Sequence, residues 1–234
     1  MLILGIETSG YQGSVALARD GECLIESQLN QAGRRHAQSL VLEIGEALKT
    51  NGLRPQDVEL VAVSRGPGSF TGLRVGMTCA KTFAYATRCR FIAVDTFAAI
   101  AENLPQDMTR VQIIEDAQRD DLFVAEFQRA PTKEWIQRAP IQTISVGEFL
   151  SAQTPDCSIT GPGIKKLKSL DCPAKLFSEL EYCQPRASII AKLGWRLAQT
   201  NDASETTHDF WKAVPFYVRA SAAEEKRDSL KAAP

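Results

Sequence analysis

Four carboxylates in this 234-residue chain, Glu7, Asp95, Glu115 and Asp116, stand where strands are expected to end. Glu7 and Asp116 close the first strand of each half. A nucleotide site built on strand ends would place its metal-orienting carboxylates there. With Thr8 and Ser9 beside Glu7, they make a candidate nucleotide cleft. The competing reading has the acids capping turns and pairing with neighbours such as Arg119. No second glycine-rich phosphate hairpin accompanies them, and the turn Gln118-Arg119-Asp120 has no glycine at all. The capping reading is the stronger.

The segment GPGSFTGLRVG, Gly66 to Gly76, invites a phosphate-loop reading, because amides at a helix N-terminus attract anions. Its spacing argues otherwise. A P-loop needs Lys and Ser or Thr after its last glycine, and Gly72 is followed by Leu73 and Arg74. A dinucleotide fingerprint needs a third glycine where Thr71 stands. Gly66-Pro67-Gly68 suits a sharp turn, and Ser69 or Thr71 suits a helix cap. On the helix that follows, Gly72, Gly76 and Ala80 recur every fourth residue as a small-residue ridge. Each glycine inside a helix costs ~1 kcal/mol relative to alanine, so close packing must compensate. Spacing leaves open whether the ridge packs on the chain's own sheet or on another subunit.

Other chemistry is poorly supplied. The only histidines are His36 and His208, and H-x-x-x-H is absent. No metal site of that kind is available. His36 follows Arg34 and Arg35 at the start of an amphipathic helix, where capping or partner contact is expected. G-x-S-x-G is missing, so Ser69 with a spatially adjacent His36 is a weak peptidase alternative. The six cysteines form no C-x-x-C pair and read as free thiols.

These residues need a frame. LILGIE, SVALARD and ECLIES read as a three-strand meander, with Asp20-Gly21 as a hairpin turn. Ala37, Leu40, Val41, Ile44, Ala47 and Leu48 fall at helical spacing over residues 36–51. Val58 to Val63 reads as a buried strand, 71–88 as a helix, 91–96 as a strand and FAAIAENL as a short helix. After Pro105 the pattern restarts with strands at 111–117, 121–127 and 133–137. A helix at SVGEFLSAQ, a strand at CSITGPG and a helix over 186–200 follow. The expected organisation is an N-terminal lobe over 1–104, a C-terminal lobe over 105–221 whose last helix packs back on the first, and a mobile tail over 222–234.

Composition fits an ordinary globular protein, with 44% hydrophobic and 24% charged residues. A net charge of -1 gives no general basic excess for nucleic acid, so RNA contact would be local or through a partner. The apolar start is short and lacks a basic lead-in, so it reads as a strand rather than a signal peptide. No run approaches the ~18–20 apolar residues of a membrane span.

The motifs LGIETSGYQGSVAL, RRHAQSL, VAVSRGPGSFTGLRVGMTCAK, VDTFAAIA, EDAQRDDLFVAEF and PFYVRASAAEE, in this order, resemble the TsaB (YeaZ) family over nearly the whole chain. The resemblance implies an α/β, two-lobed actin/sugar-kinase/Hsp70-like (ASKHA) fold with duplicated mixed sheets flanked by helices. It implies a cytoplasmic, non-catalytic scaffold for tRNA N6-threonylcarbamoyladenosine modification. Such a chain pairs with a TsaD-like catalytic subunit, recruits a TsaE-like ATPase, meets tRNA through the complex and forms a homodimer when alone. No cofactor is required, although ATP or ADP can occupy the assembled complex. The implied partner face includes Arg34, Arg35, His36, Leu40, Ile44, Gly72, Leu73, Gly76 and Ala80, and the cleft of Glu7, Thr8, Ser9 and Asp116 becomes vestigial. Glu7 stands where the family commonly has Asp, and the turn after Asp116 departs from a more basic, glycine-containing pattern. The alternatives are an actin-fold ATP-binding protein or kinase, and a peptidase-like protein acting on a partner.

Overall fold

The computed structural model describes residues 1–29, 36–200 and 210–218, with the backbone alone for 36–38. In chain order its elements are β1 (Leu2–Glu7), β2 (Ser14–Arg19), β3 (Glu22–Gln28), α1 (His36–Thr50), β4 (Leu60–Ser64), α2 (Phe70–Thr87), β5 (Arg90–Val94) and α3 (Thr96–Ala101). The second series is β6 (Arg110–Asp116), β7 (Asp121–Arg129), β8 (Trp135–Gln137), β9 (Gln142–Ser145), α4 (Val146–Ser151), β10 (Ser158–Thr160), β11 (Lys175–Phe177), α5 (Leu180–Cys183) and α6 (Ala187–Gln199).

The first sheet runs β3-β2-β1-β4-β5, with an antiparallel meander on one side and parallel strands on the other. Asp20 (φ 50°) and Gly21 (φ 85°) make its first hairpin turn, as the Asp-Gly pair favours. Every residue of β1 and β4 is buried, because helices cover both faces. Leu4, Ile6, Val61 and Val63 pack against Leu40 and Ile44 of α1 and Met77, Ala80 and Ala84 of α2. Ile3, Leu60 and Ala62 pack on Ile190 and Ala191 of α6. That helix lies close, since a Cβ on Gly5 would overlap the Ala187 carbonyl oxygen.

A carboxylate from β3 holds the start of α6. Glu26 accepts from Ser188 Oγ at 2.7 Å, Ser188 N at 3.2 Å and Arg186 Nη2 at 2.9 Å. Ser14 Oγ accepts from Ala187 N at 2.9 Å. The first amides of α6, which lack partners within the helix, are thus satisfied from the opposite half of the sequence.

The second sheet runs β11-β10-β6-β7-β8, repeating the strand order of the first, and β9 also pairs with β7. Ile114, Leu122 and Ile159 pack on one face with Val146 and Phe149 of α4. Val111, Ile113, Ala125 and Phe127 pack on the other with Phe97 and Ile100 of α3.

Several boundaries differ from expectation for local reasons. A 3-10 turn over Pro55–Asp57 delays β4 to Leu60. The left-handed Lys133 (φ 69°) delays β8 to Trp135. β9 and β11 escape sequence reading because they are short and only partly buried. The expected tail over 222–234 lies outside the described residues. No described helix is long and apolar enough to cross a membrane. All six cysteines are free thiols.

Candidate functional site

Of the four cleft residues, Glu7 and Ser9 bond to one another, while Thr8 and Asp116 bond elsewhere. Glu7, Thr8 and Ser9 follow directly from β1 and are buried. Glu7 Oε1 accepts from Ser9 N at 2.5 Å, Ser9 Oγ at 2.5 Å and Gly10 N at 3.2 Å. The amide donors of this turn are therefore occupied by the chain's own carboxylate. Burial pushes the Glu7 carboxyl above its usual range, against the pull of Ser9 and Ser64. Thr8 Oγ1 donates to the Gly72 carbonyl at 2.8 Å.

Glu115, near the end of β6, faces the same cleft. Burial pushes it up to about 7, against a backbone hydrogen bond from Asp116. The charges of Asp116 and Glu7 push it further, and Lys165 pulls it back. Lys165 lies 5.0 Å from the centroid of the Tyr11 ring, so the second half reaches the β1–β2 turn.

Asp116 behaves as a structural acid. Its Oδ1 accepts from Gln118 N at 2.7 Å and pairs with Lys166 Nζ at 2.6 Å. Lys166 also donates to the carbonyls of Arg119 at 2.8 Å and Asp121 at 2.9 Å. This bracing explains a turn without glycine in which Gln118 (φ 68°) and Arg119 (φ 52°) are both left-handed. Such residues cost about 1–2 kcal/mol each. Asp95 caps α3, accepting from Ala98 N at 3.0 Å.

The Gly66–Gly76 segment is a packing device. Gly66 (φ 114°) and Gly68 (φ 155°) flank a cis Pro67. Ser69 N donates to the Ser9 carbonyl at 2.8 Å, and Ser69 Oγ caps α2 by accepting from Gly72 N at 3.2 Å. A Cβ on Gly72 would overlap the Thr8 carbonyl oxygen, and one on Gly76 would overlap Thr8 Oγ1. The open question about the ridge is thereby answered. Gly72 and Gly76 lie against Thr8 of the same chain and Ala80 is buried, so the three form an internal seam.

Leu40, Ile44 and Leu73 are likewise buried. Arg34 and Arg35 lie outside the described residues, as do the His36 side chain and His208. The exposed face of the same two helices shares only the edges of Leu40 and Ile44 with this buried set. An apolar groove of about 630 Å³ runs between α1 and α2, lined by Leu40, Val41, Ile44, Val75, Cys79 and Phe83 among others. Val41 is 70% exposed and Leu42 49%. Burial pushes the Cys79 thiol up to about 11, so it forms an unreactive part of the wall. Val41 carried a helical-period signal but reads as core from spacing alone. The apolar stripe of α1 is wider than one sheet needs.

The family model for TsaD, tRNA N6-adenosine threonylcarbamoyltransferase, matches residues 24–226. The chain belongs to the TsaD/TsaB family. It is 33% identical over 137 residues to the tRNA threonylcarbamoyladenosine biosynthesis protein TsaB of Escherichia coli (strain K12), covering 58% of each chain. It is 30% identical over 128 residues to TsaB of Bacillus subtilis (strain 168), covering 55% of this chain and 56% of that one. It is 38% identical over 124 residues to a tRNA N6-adenosine threonylcarbamoyltransferase of Thermus thermophilus, covering 45% of this chain and 38% of that one. These matches span little more than half the length of the TsaB relatives, and less of the transferase. YeaZ from Pseudomonas aeruginosa shares the fold, with a TM-score of 0.75 and 23% identity over 93% of this chain and 99% of that one. The resemblance to TsaB (YeaZ) and the expected fold of two mixed sheets flanked by helices both stand.

Proposed function

We propose that the chain is a non-catalytic partner subunit in tRNA N6-threonylcarbamoyladenosine modification. It pairs through α1 and α2 with a TsaD-like transferase subunit, and the pair recruits a TsaE-like ATPase and meets tRNA in the cytoplasm. The carrying observation is the apolar groove between α1 and α2, about 630 Å³ in volume and open on the surface. Exposed apolar surface rimmed by polar residues marks sites of association. A homodimer through the same face is the expected state when the partner is absent.

Two further observations support a supporting rather than catalytic role. The amides of the β1–β2 turn already hold Glu7, and Lys166 is committed to its own turn. Among the described residues, no group of three or more His, Cys, Asp or Glu side chains could hold a metal ion.

Reconstitution tests this reading. Modification of tRNA is assayed with the transferase subunit and the other components, with and without this chain. The expected result is that modification requires the chain, while the chain alone modifies nothing. Full modification without it, or modification by it alone, refutes the proposal.

A further inference from the structure

Beside the groove, Arg74 is held in place by aromatic side chains of its own chain. Its guanidinium carbon lies 3.9 Å from the centroid of the Phe70 ring and 5.9 Å from that of Tyr217. Those two rings are 5.0 Å apart. Arg74 Nε donates to Tyr217 Oη at 3.0 Å. One edge of the guanidinium is thus fixed by the segment 210–218, and its plane is fixed by an aromatic face. No hydrogen bond from its two terminal amino groups is found among the described residues. Arg74 also lines the groove, the single charged residue among its lining side chains.

The segment that holds Arg74 is itself anchored and exposed. Phe216 N donates to the Arg65 carbonyl at 2.7 Å, and Lys81 Nζ donates to the Trp211 carbonyl at 3.2 Å. The Trp211 and Tyr85 rings meet at a tilt, with centroids 5.8 Å apart, and both are more than 60% exposed, at 64% and 67%. Arginine, tryptophan and tyrosine are residue types that carry much of the binding energy at interfaces, and they stand at two places along α2, Arg74 with Tyr217 and Tyr85 with Trp211.

We infer that Arg74 is the polar anchor of the docking face, receiving a carboxylate from an apolar helix of the partner that lies in the α1–α2 groove. This rests on the proposed pairing and adds to it the chemistry that the partner must supply. The preset guanidinium fork matches a carboxylate in two-point contact and loses little freedom when that contact forms. The apolar lining selects a protein helix over a nucleic-acid backbone, which would leave the groove unfilled. The partner is therefore recognised by apolar side chains beside one acidic side chain, and the 210–218 segment is part of the recognition surface.

The test measures binding of the full chain to the TsaD-like subunit of the same genome across a range of salt concentrations. Arg74→Gln and Arg74→Glu are compared with wild type, and melting temperature is recorded for each. The expected result is weakening on the order of 30-fold or more for Arg74→Glu. Arg74→Gln should flatten the salt dependence, with both melting temperatures near that of wild type. If wild type binds and both variants bind equally well, this inference fails while the pairing stands. If both variants melt early and keep the wild-type salt slope, Arg74 only staples its own chain, and the inference again fails. Loss of tRNA binding with subunit pairing intact overturns the carboxylate in favour of a phosphate. If wild type does not bind the subunit at all, the pairing and this inference fall together.

Discussion

Thr8 Oγ1 donates to the carbonyl oxygen of Gly72 at 2.8 Å, locking the end of β1 to the first turn of α2. The approach is so close that a Cβ on Gly72 would overlap the Thr8 carbonyl oxygen. Gly72→Ala is therefore expected to destabilise the fold by about 1–3 kcal/mol through overpacking. Gly76→Leu should cost more, and any loss of association in it would be a loss of the fold. Urea unfolding measures both, and a native midpoint for Gly76→Leu would contradict the internal seam.

The groove predicts the opposite pattern. Val41 is 70% exposed, so Val41→Asp should leave stability within about 0.5 kcal/mol of wild type. Association with the transferase subunit should nonetheless be lost, because the charge is buried without a partner when the face is covered. Sedimentation of the mixed proteins, beside a thermal melt of the variant alone, separates the two effects.

Glu26 ties β3 to α6. Burial would raise its carboxyl, but the hydrogen bonds from Ser188 and Arg186 outweigh it and hold the group below its ordinary value. A depressed folded value contributes stability that is present above the unfolded value of 4.5 and lost as pH falls through the folded one. Glu26→Gln should cost about 1.5–3 kcal/mol at neutral pH. The difference from wild type should shrink under acid, as denaturation followed at pH 7 and pH 3 would show. A constant difference across that range would count against this role.

Glu115 has the reverse sign. Burial raises it to about 7 from 4.5, so the folded chain binds more protons than the unfolded chain between those values. Stability should fall as pH rises through that window, by up to about 3 kcal/mol. It should level off above the folded value. Glu115→Gln, neutral throughout, should flatten that part of the profile. An unchanged slope between pH 5 and 7 would show that Glu115 titrates normally.

Much of the frame was legible because it rests on local patterns. Asp20-Gly21 announced its turn, Ser69 or Thr71 a cap that Ser69 makes, and the restarted meander the second sheet. The ridge at Gly72 and Gly76 was legible as close packing, but not its direction, because Thr8 lies 64 residues from Gly72. The turn at Gln118 looked unfavourable because its brace, Lys166, comes from a distant 3-10 turn. Val41 looked like core because helical spacing cannot say how much of an apolar stripe the sheet will cover. Arg74 gave no signal of its role, since Tyr217 is 143 residues away.

That last separation also orders events on the ribosome. Helices α1 and α2 leave the ribosome early, whereas the ring that fixes Arg74 is made 143 residues later. A chain that ends between α6 and Tyr217 has every element that covers its first sheet, yet its guanidinium has no Tyr217 hydroxyl to hold it. Translation stopped short of Tyr217 would yield a chain with the groove but without its finished anchor. Subunit pairing would then discriminate completed chains from truncated ones.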